Sequence, residues 1–265
     1  MMPDWGQFWP LMVWALVIPV VMMGVVWEVS RRLNNAGIVD IFWSYGFIPV
    51  AAVCAALGAG NEWRSTLLLF MITVWSARLG TYLLIRVASH HPEEDGRYAM
   101  LRKQFPRNTW AVFFVFFQMQ AVLIALLCAP FVLVFINADG AIGWPELAGA
   151  ALWLVAMGGE SLADAQLSRW RSDQENTGKT CRTGLWRYSR HPNYFCEWLV
   201  WVSYFLFALG SPGGWIAVYA PLVMYVFLTR VTGIKTTEAH ALRSRGEDYW
   251  KYQRSTSAFF PWFPR

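Results

Sequence analysis

Residues 109–136 read TWAVFFVFFQMQAVLIALLCAPFVLVFI, an apolar run without a charged residue. A membrane-spanning helix needs about 20 mostly apolar residues, because every backbone N–H and C=O must be paired inside the hydrocarbon. This run exceeds that length and decides the fold class. Working outward, the same test selects residues 8–27, 40–59 and 65–87 upstream, and 144–165, 194–210 and 213–232 downstream. Each is bounded by Gly, Pro, Asn or clustered charge. The tight turn Ser211-Pro212-Gly213-Gly214 joins the last two. The expected fold is all-α, a single integral membrane bundle of seven helices over residues 1–265.

Composition points the same way. The chain is 56% hydrophobic and 15% charged, with 17 Trp and a mean hydropathy of +0.33. That is too apolar for a soluble domain with a solvated surface. The first segment lacks the basic start and the small-residue cleavage site of a signal peptide and runs past signal length, so it is expected to stay in the protein. Cys54, Cys128, Cys181 and Cys196 are scattered with no CxxC pair, which indicates neither a metal site nor a disulfide framework. Their expected role is packing.

Basic residues fall in alternate connections. Arg31 and Arg32 follow the first segment, a group from Arg97 to Arg107 follows the third, and Arg169 to Arg190 follow the fifth. The intervening connections, near 60–64, 137–143 and 211–214, hold only Arg64. The positive-inside rule then places the N-terminus outside and the C-terminus in the cytoplasm. The net charge of +5 faces anionic lipid or lines a cytoplasmic pocket, so it does not call for nucleic acid.

Charges inside the apolar segments are costly and are functional candidates. Asp40 begins the second segment and Arg78 lies within the third. Glu160 and Asp164 lie near the cytoplasmic end of the fifth, and Glu197 sits one turn into the sixth. If the fifth helix continues past the membrane, Asp164 and Arg171 share a face two turns apart, with Glu160 one turn earlier. Asn193 and Glu197 are spaced i,i+4 just after Pro192, a residue suited to a helix's first turn. The bland alternative is a set of ion pairs closing the bundle.

Between Gln166 and Arg190 lies a polar loop of roughly 25 residues carrying Arg169, Arg171, Lys179, Arg182, Arg187 and Arg190 among Trp170, Leu185, Trp186 and Tyr188. Long loops in compact proteins tend to be functional, and cations among aromatics suit a phosphorylated ligand. The tail, Glu247 to Arg254 and then Ser257 to Pro264, is expected to fold back on the cytoplasmic face, or to lie at the interface with Trp and Tyr at headgroup depth. His191, beside Pro192, is expected to hydrogen-bond locally, with a general-acid role as the alternative. His90, His91 and His240 read as loop or surface residues.

The run Gly184-Leu185-Trp186-Arg187-Tyr188-Ser189-Arg190-His191-Pro192-Asn193-Tyr194-Phe195-Cys196-Glu197, with Tyr249 to Arg254 and Ser257-Ala258-Phe259-Phe260-Pro261, resembles the steroid 5-alpha-reductase family. The likeness is closer to its bacterial branch of uncharacterised function, through Val39-Asp40-Ile41-Phe42-Trp43, Trp75 to Gly80 and Asp95-Gly96-Arg97-Tyr98. It covers nearly the whole chain.

The resemblance implies a seven-helix, NADPH-dependent reductase, in a bacterial inner membrane, that saturates a carbon–carbon double bond conjugated to a ketone in a steroid-like lipid. It implies that Asp164, Arg171, Asn193 and Glu197 contact the dinucleotide, with Lys179, Arg78, Arg230 and Tyr249 aligned alongside them. Phosphates demand Arg or Lys, and riboses and the carboxamide suit Asp, Asn and Glu. The family's carboxylate aligns with Asp40, and its partner tyrosine falls near Trp75, leaving Tyr45 or Tyr82. These would polarise the carbonyl as negative charge develops on its oxygen, with Asp40 acting as a buried acid. Residues 1–136 are then the expected lipid chamber and 137–265 the expected NADPH half, with membrane lipids and the substrate as partners and no requirement for a second copy.

Two other classes compete. The isoprenylcysteine carboxyl methyltransferase group shares the Arg-His-Pro-x-Tyr core and uses S-adenosylmethionine, but its late glutamate pair is reduced here to Thr237-Glu238. A non-catalytic lipid carrier would place polar groups across the midplane instead of at one end.

Overall fold

A computed structural model describes residues 2–90 and 92–265, with backbone alone for His90. His91 lies outside the described residues. Among those described, all regular structure is helical. The chain forms two compact units, Met1–Ile142 with Gly210–Gly214, and Gly143–Leu209 with Trp215–Arg265.

Unit 1 begins with α1 (Trp5–Leu33). The Asp4 side chain accepts hydrogen bonds from the Gly6 and Gln7 amides, capping the helix, and Asn34 ends it in the left-handed conformation. The expected segment 40–59 is two helices, α2 (Ile38–Tyr45) and α3 (Phe47–Leu57), meeting at Gly46. A Cβ at Gly46 would sit 2.7 Å from Met22 Cε and 2.9 Å from Ile124 Cδ1, so the joint is packed from two sides. α4 (Glu62–His90), the short α5 (Gly96–Gln104) and α6 (Thr109–Phe135) complete the unit. α1 packs mainly on α6, and α2 and α3 pack on α4.

At one end of unit 1, Arg64 is 1% exposed. Its guanidinium donates to the carbonyls of Asn137 at 3.3 Å and Asp139 at 2.6 Å, and to that of Ala141. Asn137 Nδ2 donates in turn to Gly210 O at 3.2 Å. The one basic residue of these connections is therefore neutralised by carbonyl dipoles instead of facing solvent.

Unit 2 contains α7 (Trp144–Ser172), α8 (Pro192–Ala208), α9 (Tyr219–Val226) and α10 (Ile234–Ser255). α9 continues into a π-helical turn over Phe227–Val231. α7 and α8 approach closely at Gly149, where a Cβ would lie 2.8 Å from Ser203 O, as small residues allow between packed helices. α7 runs through Ser172, so residues 166–172 of the expected loop are helical. The remainder carries two 3-10 turns, Gln174–Asn176 and Gly184–Arg187. α10 was not anticipated. It bends at Gly246 (φ 52°), a left-handed conformation that glycine adopts without strain.

Five helical stretches among the described residues are long and apolar enough to cross a membrane: Trp5–Leu33, Ile38–Leu57, Glu62–Ser89, Thr109–Phe135 and the run Gly214–Ser255, whose apolar part precedes α10. They correspond to five of the seven expected segments. The other two form α7 and α8. α7 carries Glu146, Glu160 and Asp164 within it, and α8 has only 17 residues.

Candidate functional site

The first polar end belongs to unit 2 and is built by the segment between α7 and α8. Gly184 has φ 59°, and a Cβ there would lie 2.4 Å from the Gln166 amide. This bare backbone lets Gln166 Oε1 accept Leu185 N at 2.9 Å, and Trp186 Nε1 donates to Ala163 O at 2.9 Å. The Gly184–Arg187 turn is thereby pinned to α7, and Arg190 and His191 follow it directly.

Arg190 Nε donates to Glu238 Oε1 on α10 at 2.7 Å, and its Nη1 donates to Gln253 O at 2.9 Å and Thr256 O at 2.5 Å. His191, 3% exposed, stacks on Tyr194 and places Nε2 3.2 Å from the same Glu238 oxygen. Tyr249 donates its hydroxyl to Glu238 Oε1 at 3.3 Å, and Gln253 Nε2 donates to Glu238 Oε2 at 2.8 Å. Burial pushes the Glu238 pKa up, but hydrogen bonds from His191 and Arg190 outweigh it and hold the value at about 2. Burial also pushes the His191 pKa below its ordinary value, against the pull of Glu238, so the ring is neutral near pH 7 and donates from Nε2. The sequence suggests a local hydrogen bond for His191; its ring instead reaches Glu238, 47 positions along the chain, while its backbone N donates locally to Ser189 Oγ at 3.1 Å.

The tail closes over the segment. Arg190 N donates to Ser257 O at 2.8 Å, Ser189 Oγ to Phe259 O at 2.9 Å and Trp262 N to Tyr188 O at 2.9 Å. Phe259 and Phe260 pack against Phe195, Trp198 and Tyr225. Both ends of the 247–264 tail expected to fold back are thus held, although Trp262 and Phe263 stay exposed.

Of the sequence-predicted dinucleotide residues, Asp164 and Asn193 meet directly. Asn193 Nδ2 donates to Asp164 Oδ1 at 3.2 Å, and the buried Asn193 Oδ1 has no partner among the described residues. Glu197, one turn along α8 and 6% exposed, accepts from Trp201 Nε1 at 3.0 Å. Arg171 lies exposed in the last turn of α7. Lys179 and Arg230 are exposed, and Tyr249 is buried on Glu238.

Arg245, half-buried with its guanidinium 5.2 Å over the Tyr249 ring, was not singled out from the sequence. Burial is the main cause lowering its pKa, and the Arg171 charge acts in the same direction. Two cations thus lie within electrostatic reach of each other. Next to them, Asp248 accepts Thr180 N at 2.8 Å and Arg182 Nη2 at 2.7 Å, and the buried Thr180 Oγ1 has no partner among the described residues.

The second polar end belongs to unit 1. Asp40 accepts Arg97 Nη2 at 2.6 Å on one oxygen and the Tyr98 hydroxyl at 2.7 Å on the other. Arg97 also binds Asp95 at 3.0 Å, Arg86 binds Asp95 at 2.6 Å and Arg102 binds Glu94 at 2.9 Å. Asp40, expected as a buried acid, is here the acceptor of a guanidinium and a phenol, and the donor beside it is Tyr98. Tyr45 is tied to Thr81 Oγ1 at 2.8 Å, Tyr82 is 39% exposed and Arg78 is half-buried in α4. Arg78 lies in unit 1, unlike the other predicted dinucleotide residues. Among the described residues no cluster of His, Cys, Asp and Glu could hold a metal ion.

The fold and these polar ends define an all-helical protein with apolar helices able to cross a membrane. Over residues 26–256 the sequence matches the family described as "Protein of unknown function (DUF1295)", and the chain belongs to that family. It is similar to the uncharacterised protein C594.04c of Schizosaccharomyces pombe, with 28% identity over 279 residues covering 93% of this chain and 78% of the relative. No solved structure matches the chain.

Proposed function

We propose that this protein is a membrane-embedded reductase that uses NADPH to saturate a carbon–carbon double bond conjugated to a carbonyl in a steroid-like or other lipid. The observation that carries it is the Asp164–Asn193 pair, in which the amide nitrogen is fixed by the carboxylate and the buried oxygen is left as an acceptor. An acceptor in that state suits the carboxamide N–H or a ribose hydroxyl of a dinucleotide. Arg171, Lys179 and Arg245 supply the positive charge that its phosphates require.

The donor set of these residues suits the groups of the cofactor. Asn193, Asp164 and Glu197 would hold its hydroxyl and amide groups, and the three cations its phosphates. When bound, NADPH supplies the hydride. In unit 1 the Tyr98 hydroxyl donates to Asp40 Oδ1; a substrate carbonyl would replace Asp40 as the acceptor of that proton and be polarised by it. Arg97, paired with Asp40 at 2.6 Å, would hold that carboxylate in place beside the phenol.

All seven helices would cross the membrane, with the C-terminus in the cytoplasm. The polar residues Glu146 and Glu160 of α7 are buried, whereas Leu147, Leu154, Val155 and Leu162 are exposed as a lipid-facing side should be. The 17 residues of α8 lie at the lower bound for a crossing, about 17–25. For a bacterial chain this is the inner membrane.

The test compares Arg171→Ala with Asp40→Asn. Arg171→Ala should weaken NADPH binding by about 10- to 100-fold, and Asp40→Asn should keep NADPH but lose turnover of an enone. Unchanged NADPH binding in Arg171→Ala would remove Arg171 from the site.

A further inference from the structure

The last residues of unit 2 fold back on the Tyr188–Arg190 segment yet leave large aromatic side chains outside. Trp262 and Phe263 are 70% and 75% exposed, and Trp250 and Phe260 are exposed beside them. Their backbone is fixed all the same. Trp262 N donates to Tyr188 O and Arg265 N to Ser255 O, both at 2.9 Å, and the Phe263 ring meets the Tyr188 ring edge to face. Pro261 and Pro264 flank the pair and restrict the chain further. Exposed rings held in place before they meet anything lose little freedom on binding, and contiguous exposed apolar surface marks an interaction site.

Continuity and charge select the occupant. Phe260 stacks on Tyr225 of α9 with ring centroids 6.2 Å apart, and Leu222 and Val226, one turn apart beside Tyr225, are exposed. α9 belongs to a helical run apolar enough to cross a membrane, so this side of it suits lipid tails, and the aromatic patch adjoins it through Phe260. Arg187 precedes Tyr188 at the edge of the patch, and the Arg254 guanidinium lies 4.8 Å over the Trp250 ring. Both are exposed and pair with no carboxylate among the described residues, whereas Lys251 is matched by Glu247. Aromatic rings bordered by uncommitted cations suit the headgroup depth of a bilayer carrying anionic lipid. A soluble partner would account for the rings but not for their place against the apolar side of α9.

We infer that the C-terminal tail docks on anionic phospholipid of the bilayer that α9 crosses, with Trp262 and Phe263 at headgroup depth and Arg187 and Arg254 on lipid phosphates. This requires that α9 cross the membrane; it does not require the reductase function proposed above. Docking also steadies the segment that opens α8, because Arg190 N and Ser189 Oγ donate to the Ser257 and Phe259 carbonyls of the same tail.

The test measures the depth of the tail. Cys54, Cys128, Cys181 and Cys196 are buried, so a nitroxide attached to the variant Pro264→Cys reports the tail alone. The full-length protein is placed in nanodiscs of phosphatidylcholine, with or without phosphatidylglycerol, and the label is relaxed by oxygen or by a water-soluble nickel chelate. With phosphatidylglycerol the label should lie about 5–10 Å into the headgroup and acyl boundary and favour oxygen. Arg187→Gln with Arg254→Gln, or omission of phosphatidylglycerol, should weaken docking at least about tenfold, since each cation near an anionic surface is worth roughly fivefold. Trp262→Ser with Phe263→Ser should return the label to water while the melting temperature in detergent is kept. The arginine variant carries the test should the aromatic one fail to fold.

A label in water in both lipids overturns the inference and gives the patch to a soluble partner. Equal depth in both lipids, unchanged by the arginine substitutions, overturns it as well.

Discussion

Glu238 Oε1 accepts Arg190 Nε at 2.7 Å across 48 positions of sequence, joining the Arg-His-Pro segment that opens α8 to the charged helix α10. His191, Tyr249 and Gln253 converge on the same carboxylate. One glutamate therefore fixes the loop, the helix entrance and the tail that surround the proposed cofactor residues of unit 2.

Glu238→Gln keeps the shape but removes the charge, and should cost about 1–3 kcal/mol near neutral pH. The sign of its pH dependence follows from the depressed pKa of about 2 against an ordinary 4.5. The stabilisation is complete above pH 4.5 and is lost as pH falls through about 2. Thermal unfolding across pH should show the gap between wild type and variant closing over that acid window. A gap that widens on acidification would exclude the charged hub.

Arg171→Ala and Arg245→Ala should each weaken NADPH about 10- to 100-fold, the worth of a charge-assisted contact to phosphate. Calorimetric titration measures it. Arg230→Ala, removing a cation equally exposed but set in the π-helical turn, is expected to have a smaller effect.

Gly80 lets the Tyr45 ring pack on α4, since a Cβ there would lie 2.7 Å from two ring carbons. Gly80→Ala should destabilise by about 1–3 kcal/mol through overpacking, read as a lower melting temperature with unchanged NADPH binding.

Asp40→Asn should uncouple Arg97 and Tyr98 from α2, costing about 1–3 kcal/mol. Turnover of an enone should fall by a larger factor than in Tyr45→Phe, since Tyr45 is occupied by Thr81. Steady-state rates of the two variants make the comparison.

The helical fold class was legible because hydropathy acts over whole segments: the run at 109–136 needs no partner to be read. That Asp164 shares a face with Glu160 and Arg171, and Asn193 with Glu197, was readable from the helical period, but the contact between Asp164 and Asn193 joins two helices and no period announces it. Glu238 and Arg245 carry no such signal. They lie in α10, a polar helix tied to the segment before α8 through Glu238 on Arg190 and Tyr252 on the Trp186 and Ser189 carbonyls, and its bend at Gly246 breaks the period.

The Asp40–Tyr98 contact was hidden for a similar reason. It joins positions 58 apart through the short helix α5, which has too little apolar periodicity to announce itself. The Asp95-Gly96-Arg97-Tyr98 motif was visible, but its partner was not.

The most direct test of the account is thermal unfolding of the purified full-length protein titrated separately with NADPH, NADH and S-adenosylmethionine. A ligand that binds only the native state stabilises it by about 2.7 kcal/mol at 100 times its dissociation constant. The account predicts stabilisation by NADPH, weaker stabilisation by NADH, and none by S-adenosylmethionine. Stabilisation by S-adenosylmethionine with none by NADPH would contradict it and assign the Arg190–His191–Glu238 end to a methyltransferase.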